Sequence, residues 1–215
     1  QMKIVPGIAS KWEYSNDFKT ITYTVMEGGK FHDGSDITPE DVAWSLEHNA
    51  GTGAEDYGTS VAITYAKIFD KVEMGPGPRD VSITATKGIP EAVVYWSENE
   101  GGAAVGQVYP KQPLIYSAEQ SEAYEKNPIG AGPLKLIKYV PQTSILWERF
   151  DDFYYQPAFG YPSDKRIKFA DMEMKLVPEE ATRVAALETG EADMGRISGA
   201  TADRVVSGGG RVVYS

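Results

Sequence analysis

The sequence contains no cysteine. Disulfides, thiolate zinc sites and a cysteine nucleophile are therefore excluded. It has no apolar run approaching the roughly 20 residues that a bilayer-spanning helix needs. Basic residues are scarce as well: 21 Lys and Arg face 31 Asp and Glu, for a net charge of -10. Nucleic-acid binders carry the opposite balance, or at least a basic stripe, and neither is present. Only two histidines occur, His32 and His48, and neither sits at the spacing of a metal or catalytic motif. There is no Gly-x-Ser-x-Gly elbow, His-Glu-x-x-His helix, EF-hand loop or phosphate-binding Gly-Lys-Ser/Thr loop. A secretory leader pattern is missing too. The chain opens on Gln1 rather than Met, so the expectation is a chain processed or cut from a longer one.

What is present is ordinary for a folded chain. The 215 residues are 41% apolar and 24% charged, which excludes a disordered tail, a collagen-like chain and a coiled coil. The length suits one domain or two small ones. Lys11–Tyr14 and Ile21–Val25 alternate around the turn residues Ser15-Asn16-Asp17, which predicts a hairpin with Ile21, Tyr23 and Val25 on one face. Thr38, Pro39 and Asp41 form a helix-start signal: a hydroxyl cap, a proline at the first position and a carboxylate three residues on. Val42, Leu46 and Asn49 follow helical spacing and Gly51 ends the run. Residues 72–74 and 81–85 read as paired strands around Gly75-Pro76-Gly77-Pro78. Short helices are expected at 90–96 and 119–125.

Asn127-Pro128-Ile129-Gly130-Ala131-Gly132-Pro133 is a dense cluster of breakers and a candidate boundary. Residues 1–130 hold 10 basic and 19 acidic residues, against 11 and 12 in the remainder. The acid excess thus belongs to the first part, and the chain is read as two pieces, 1–130 and 131–215. In the second piece, 134–140 and 144–149 read as strands, and 167–176 alternates as a third. A helix led by Pro178 follows, with Ala181, Val184, Ala185 and Leu187 as its buried side and Gly190 as its C-terminal cap. Ala192–Met194 reads as a short strand, 200–206 as a helix, and 212–214 as the start of another strand.

Catalytic chemistry is hard to assemble from these residues. The carboxylate pairs Asp151-Asp152 and Glu179-Glu180 fit a solvated loop and a helix start better than acid–base work. The aromatic group Phe150, Phe153, Tyr154, Tyr155, Phe159 and Tyr161 suits either a sugar or peptide site or a loop packed over a sheet edge, with packing favoured.

The order of the motifs carries more. Pro6-Gly7-Ile8-Ala9-Ser10-Lys11-Trp12-Glu13 resembles a P-G-L-A-x-x-W-E block, and Phe18–Val25 a G-K-T-Y-T-F-x-L strand. Lys30-Phe31-His32-Asp33-Gly34-Ser35-Asp36-Ile37-Thr38-Pro39-Glu40-Asp41-Val42 resembles K-F-H-D-G-T-P-x-T-A-E-D-V. Asn127–Leu134 resembles N-P-x-G-T-G-P-Y, with Ala131 and Leu134 as departures, and Leu187–Asp193 resembles L-x-x-G-E-x-D. These five blocks, in this order, resemble the family 5 extracellular solute-binding proteins, the oligopeptide-, dipeptide- and nickel-binding receptors of ABC importers.

The resemblance implies an α/β fold of the type II periplasmic-binding-protein class, in mixed α+β form. Residues 1–130 would be the inserted subdomain of lobe I. Residues 131–215 would be part of its sheet-bearing core, with the second lobe absent. It implies capture of a peptide or other small solute outside the cell membrane and delivery to an ABC permease. No catalytic residue, metal or cofactor is implied, and no nucleic acid. The protein would be periplasmic or extracellular, with lipid anchoring as one mode. The alternatives are an exported hydrolase of peptides or glycans, and a sensor or chaperone module that reuses the fold. The segment after the fifth block would leave a strand end at the cleft, making Arg196, Ile197 and Ser198 candidate ligand contacts. Tyr214 is the fourth, as an aromatic wall. The second piece would also leave sheet edges bare and open to self-association.

Overall fold

The protein is described by a computed structural model covering residues 4–50, 68–90, 107–111 and 124–213. The expected helix at 90–96 lies outside these residues apart from its first position. So does most of the helix at 119–125, of which the described residues 124 and 125 are helical. Two compact units are found: residues 1–136 with 147–171, and residues 137–146 with 172–215.

The first unit is built on a four-stranded sheet in the order β1-β2-β4-β3. Its strands are β1 (Ala9–Tyr14), β2 (Thr20–Val25), β3 (Phe69–Met74) and β4 (Asp80–Ala85), and every neighbouring pair is antiparallel. Both expected hairpins are present. Central β2 buries Ile21, Tyr23 and Val25, and β4 buries Val81, Ile83 and Ala85. On the alternate positions the strands carry a polar ladder: Thr20 with Thr84, Thr22 with Ser82, and Thr24 Oγ1 donating to Asp80 Oδ1 at 2.6 Å. Period-two alternation therefore separates a core face from a hydroxyl face. The buried face packs with helix α1 (Pro39–Ala50), which contributes Val42 and Leu46, and with Phe31, Ile37, Phe69, Ile89 and Ala131.

Helix α1 starts as the motif requires. Asp41 N–H donates to Thr38 Oγ1 at 3.2 Å, and Thr38 N–H and Oγ1 both donate to Asp41 Oδ2, at 2.8 and 2.5 Å. Asp41 has a second duty. Its other oxygen, Oδ1, accepts the Lys111 N–H at 2.6 Å. One turn on, fully buried Ser45 accepts the Tyr109 N–H at 2.9 Å. The helix thus satisfies the backbone of the 107–111 segment with side chains, where no ladder is available.

His32 does the same for the breaker cluster. Gly130 N–H donates to His32 Nδ1 at 3.3 Å, so that nitrogen is bare and the proton sits on Nε2. Nε2 donates to the Gly132 carbonyl at 2.9 Å, and the His32 N–H donates to the Gly130 carbonyl at 2.8 Å. The imidazole also meets the Phe150 ring edge-on, with centroids 4.9 Å apart. A Cβ on Gly130 would stand 3.3 Å from His32 Cε1, a tight approach to the ring.

The aromatic group is a second core, not an exposed wall. Phe150, Phe153, Tyr154 and Tyr161 are buried with Met26, and Tyr155 and Phe159 pack against them. Tyr161 donates its hydroxyl to the Gly7 carbonyl. Buried Gln156 donates to the Asp151 and Phe153 carbonyls at 3.1 and 2.7 Å.

The second sheet runs β5 (Leu134–Val140), β6 (Ser144–Arg149) and β7 (Asp171–Lys175) in that order. The third strand is shorter than the alternation at 167–176 suggested. Asp164 accepts both the backbone N–H and the guanidinium of Arg166, and residues 168–170 are bends rather than strand. In the second unit, helices α2 (Glu180–Thr189) and α3 (Gly199–Ser207) pack together, with Val184, Ala202 and Val205 buried. Ala181 and Ala185, expected inside, are exposed. Only the side of α2 bearing Val184 is covered, which is a narrower stripe than the sequence pattern allows. Ala192–Met194 forms no strand. The Ala192 N–H turns back onto the Ala186 carbonyl at 3.0 Å instead of entering a ladder. Residues 211–213 are likewise not in a strand. At the end of α3, Gly210 N–H reaches the Val205 carbonyl at 2.9 Å, and a Cβ on Gly210 would lie 2.6 Å from Val205 Cγ1.

Replacing Asp41 by Ala removes the carboxylate half of the capping box and leaves the Lys111 N–H without its acceptor. The expected loss is about 1–2 kcal/mol of unfolding free energy, read by urea denaturation against wild type. His32 gives a pH signature. Burial pushes its pKa below 6.5, against a smaller upward pull from its bond to the Gly132 carbonyl. A base with a lowered folded pKa stabilises fully above the unfolded value. The stability advantage of wild type over His32→Ala is therefore expected to shrink as pH falls through 6.5 toward 5. An advantage that stays flat across that range would contradict the neutral-imidazole tie.

Candidate functional site

The candidate contacts Arg196, Ile197 and Ser198 lie in the second unit, in the irregular stretch between α2 and α3. Tyr214 falls outside the described residues. Helix α2 ends at Gly190 in the left-handed conformation (φ 74°), which only glycine adopts without strain. The chain then turns back along the helix. Leu187 closes over Gly195, where a Cβ would be 3.3 Å from Leu187 Cδ1.

The segment itself has no ladder and is held by two side chains from the start of α2. Glu180 Oε1 accepts three donors: Ser198 N–H at 3.0 Å, Ser198 Oγ at 2.8 Å and Thr201 Oγ1 at 2.5 Å. Arg183, one turn later, donates Nε to the Arg196 carbonyl at 2.8 Å. Its Nη1 donates to the Val177 and Pro178 carbonyls, both at 2.6 Å. At the far end of α2, Glu188 forms a two-pronged pair with Arg204 of α3, both contacts at 2.6 Å.

This geometry sorts the candidates. Ser198 caps α3 by position, but its hydroxyl is spent on Glu180 and caps nothing. That hydroxyl proton is committed, so only its lone pairs face other groups. Ile197 is half-buried. Arg196 is exposed, and among the described residues its guanidinium has no partner while its carbonyl is fixed. The sequence singled out Arg196–Ser198 and missed Glu180 and Arg183. The signal was present as an acid and a base three apart at a helix start, a spacing that places both on one face.

Neither histidine takes part. His32 belongs to the tie described above, and the His48 side chain lies outside the described residues. No group of three or more His, Cys, Asp or Glu among the described residues is placed to hold a metal. No described helix is long and apolar enough to cross a membrane. An open polar depression of about 250 Å³ lies on the hydroxyl face of the first sheet. It is lined by Thr20, Thr22, Thr24 and Asp80 among others, and these four are already paired across strands.

Residues 3–214 match the family model of bacterial extracellular solute-binding proteins, family 5, middle part. The chain belongs to that family. It is 26% identical over 209 residues to the dipeptide-binding protein of Escherichia coli K12, covering 88% of this chain and 35% of that protein. NikZ from Campylobacter jejuni, solved in complex with Ni(L-His), superposes with a TM-score of 0.72 at 21% identity over 91% of this chain and 35% of NikZ. CtaP from Listeria monocytogenes, an ABC transporter substrate-binding protein, gives 0.72 at 22% identity over 94% of this chain and 38% of CtaP. These likenesses establish the fold. The chain spans about a third of the length of the curated relatives it matches. The relatives named here are binding proteins rather than enzymes.

Glu180 supplies a pH test. Hydrogen bonds from Thr201 and Ser198, with a smaller contribution from the Arg183 charge, lower its pKa from 4.5 to about 2. A carboxylate with a depressed folded pKa stabilises above its unfolded value and loses that contribution as pH falls through the folded one. Acid unfolding of wild type and Glu180→Gln is therefore expected to differ at pH 5 and to converge between about 4.5 and 2. Curves that stay parallel down to pH 2 would exclude the three-donor arrangement.

Proposed function

We propose that this chain is part of lobe I of the solute-binding component of an ABC-type importer. The whole protein captures peptides outside the cell membrane, in the periplasm or at the cell surface, and delivers them to a permease. Residues 1–130 are its inserted subdomain and 131–215 part of its sheet-bearing core. It binds without breaking bonds.

The observation that carries this reading is Arg196: a guanidinium left free on a backbone that is held. Such a group suits a carboxylate, of a peptide or of an opposing lobe, because its planar fork matches two oxygens at once. Ile197 offers an apolar contact and the lone pairs of Ser198 Oγ accept an N–H. Tyr214 supplies an aromatic wall with a hydroxyl handle. Closure over a ligand buries polar groups that must then be paired, which is the physical reason for charged and hydroxyl residues beside an aliphatic one. Ile137 and Tyr139 on β5 and Met174 on β7 are exposed, which supports self-association of the isolated chain through this sheet.

Native mass spectrometry of the full-length protein, purified without refolding, tests the reading. The expected spectrum shows a retained mass of a few hundred daltons that fragments as a peptide. Arg196→Ala is expected to weaken retention about tenfold to a hundredfold, the cost of removing a charge-assisted hydrogen bond. Protein that stays empty after soaking in a mixture of peptides would overturn the peptide assignment. The same spectra of the isolated chain report its oligomeric mass.

A further inference from the structure

We infer that Glu180 and Arg183 are positioning residues for the ligand segment: from the start of α2 they set the backbone of Arg196–Ser198 and so aim the Arg196 guanidinium. This rests on the ligand role proposed above for that segment and deepens it.

No ladder or helix orders the segment among the described residues. Residues 194–198 form no helix or strand, so nothing repetitive fixes their φ and ψ. The hydrogen bonds found on 196–198 come from the two side chains, apart from those between Ser198 and Thr201. Their roles are complementary. Glu180 is an acceptor that gathers N–H and O–H donors at the Ser198 end. Arg183 is a donor that gathers carbonyls at the Arg196 end. A lysine or an amide could not reproduce both prongs of Arg183, because its fork reaches carbonyls on both sides at once.

Beyond what it adds to stability, the clasp fixes geometry: its bonds to Arg196 and Ser198 set the position of both ends of the segment. Misplacing a charged contact by about 1 Å is enough to lose most of its benefit. Arg204 and Glu188 form an equally short pair at the other end of the same helices, but that pair touches no part of 194–198. It serves as an internal control.

The experiment compares Glu180→Ala, Arg183→Ala, Arg183→Lys and Glu188→Ala in the full-length protein. Two readouts are taken: amide hydrogen exchange at Ser198, and retention of a defined dipeptide mixture by native mass spectrometry. Exchange at Ser198 is expected to rise at least tenfold in Glu180→Ala and in both Arg183 variants, and to stay at the wild-type rate in Glu188→Ala. Dipeptide affinity is expected to fall about tenfold or more in the same three and to hold in Glu188→Ala. Equal loss in Arg183→Lys and Arg183→Ala marks the fork, not the charge, as the working element. Unchanged exchange in the Glu180 and Arg183 variants overturns the inference, as does faster exchange with full dipeptide affinity. Wild-type protein that takes up no dipeptide defeats the peptide assignment and the ligand role of the clasp with it. The exchange readout still reports separately whether the clasp holds the segment.

Discussion

One neutral imidazole joins two stretches of chain about a hundred residues apart. His32 gives a proton to Gly132 and takes one from Gly130, and only the uncharged ring does both. Much of the first unit depends on this. The breaker cluster cannot form a ladder of its own, since prolines lack the donor and glycines cost entropy to hold. Its backbone groups need partners from elsewhere, and a side chain that is donor and acceptor at once answers that need. With the cluster fixed, Ala131 enters the core beside β2 and β4, and the Pro133 carbonyl receives the Phe150 N–H. Burial of the ring protects the arrangement by disfavouring the charged form. The His-Asp-Gly and Gly-x-Gly-Pro blocks are therefore two halves of one joint, which accounts for their presence together without any ligand.

The same device recurs at other places among the described residues where the backbone leaves regular structure. Asp41 and Ser45 serve residues 107–111, Gln156 serves the aromatic loop, and Glu180 with Arg183 serves the segment after Asp193. In each case a helix or turn fixes a polar side chain, and that side chain satisfies irregular chain. Irregular chain, unlike a ladder, lets a side chain such as that of Arg196 stand free while its backbone is held.

This explains what the sequence disclosed and what it withheld. The strands β1 to β6 were legible because alternation and turn residues act locally, and the start of α1 was legible because Thr38, Pro39 and Asp41 are neighbours. The pairing of β2 with β4 was not, since it joins residues 60 apart and leaves no local mark. Two stretches departed from their local patterns. Residues 167–170 alternate like a strand, yet 168–170 form bends. Ala192–Met194 is short and apolar enough for a strand, yet its amide returns to α2. The candidate segment was reached by resemblance. What holds that segment could not be reached in this way, because Glu180 and Arg183 look like the ordinary acidic and basic dressing of a helix.

That last difficulty is general to binding proteins of this kind. A ligand-facing segment has to be rigid enough to aim its groups and irregular enough to leave them unpaired. Ladders supply rigidity only by consuming backbone donors and acceptors along a line, which also fixes every side chain to alternate faces. Two long side chains from a neighbouring helix supply it at chosen atoms. The helix provides a stiff base, with α2 capped by Gly190. The segment follows an irregular path with its anchor atoms set at Arg196 O and Ser198 N. Backbone anchoring and side-chain freedom are thereby separated: Arg196 is held through its carbonyl while its guanidinium stays free of partners among the described residues.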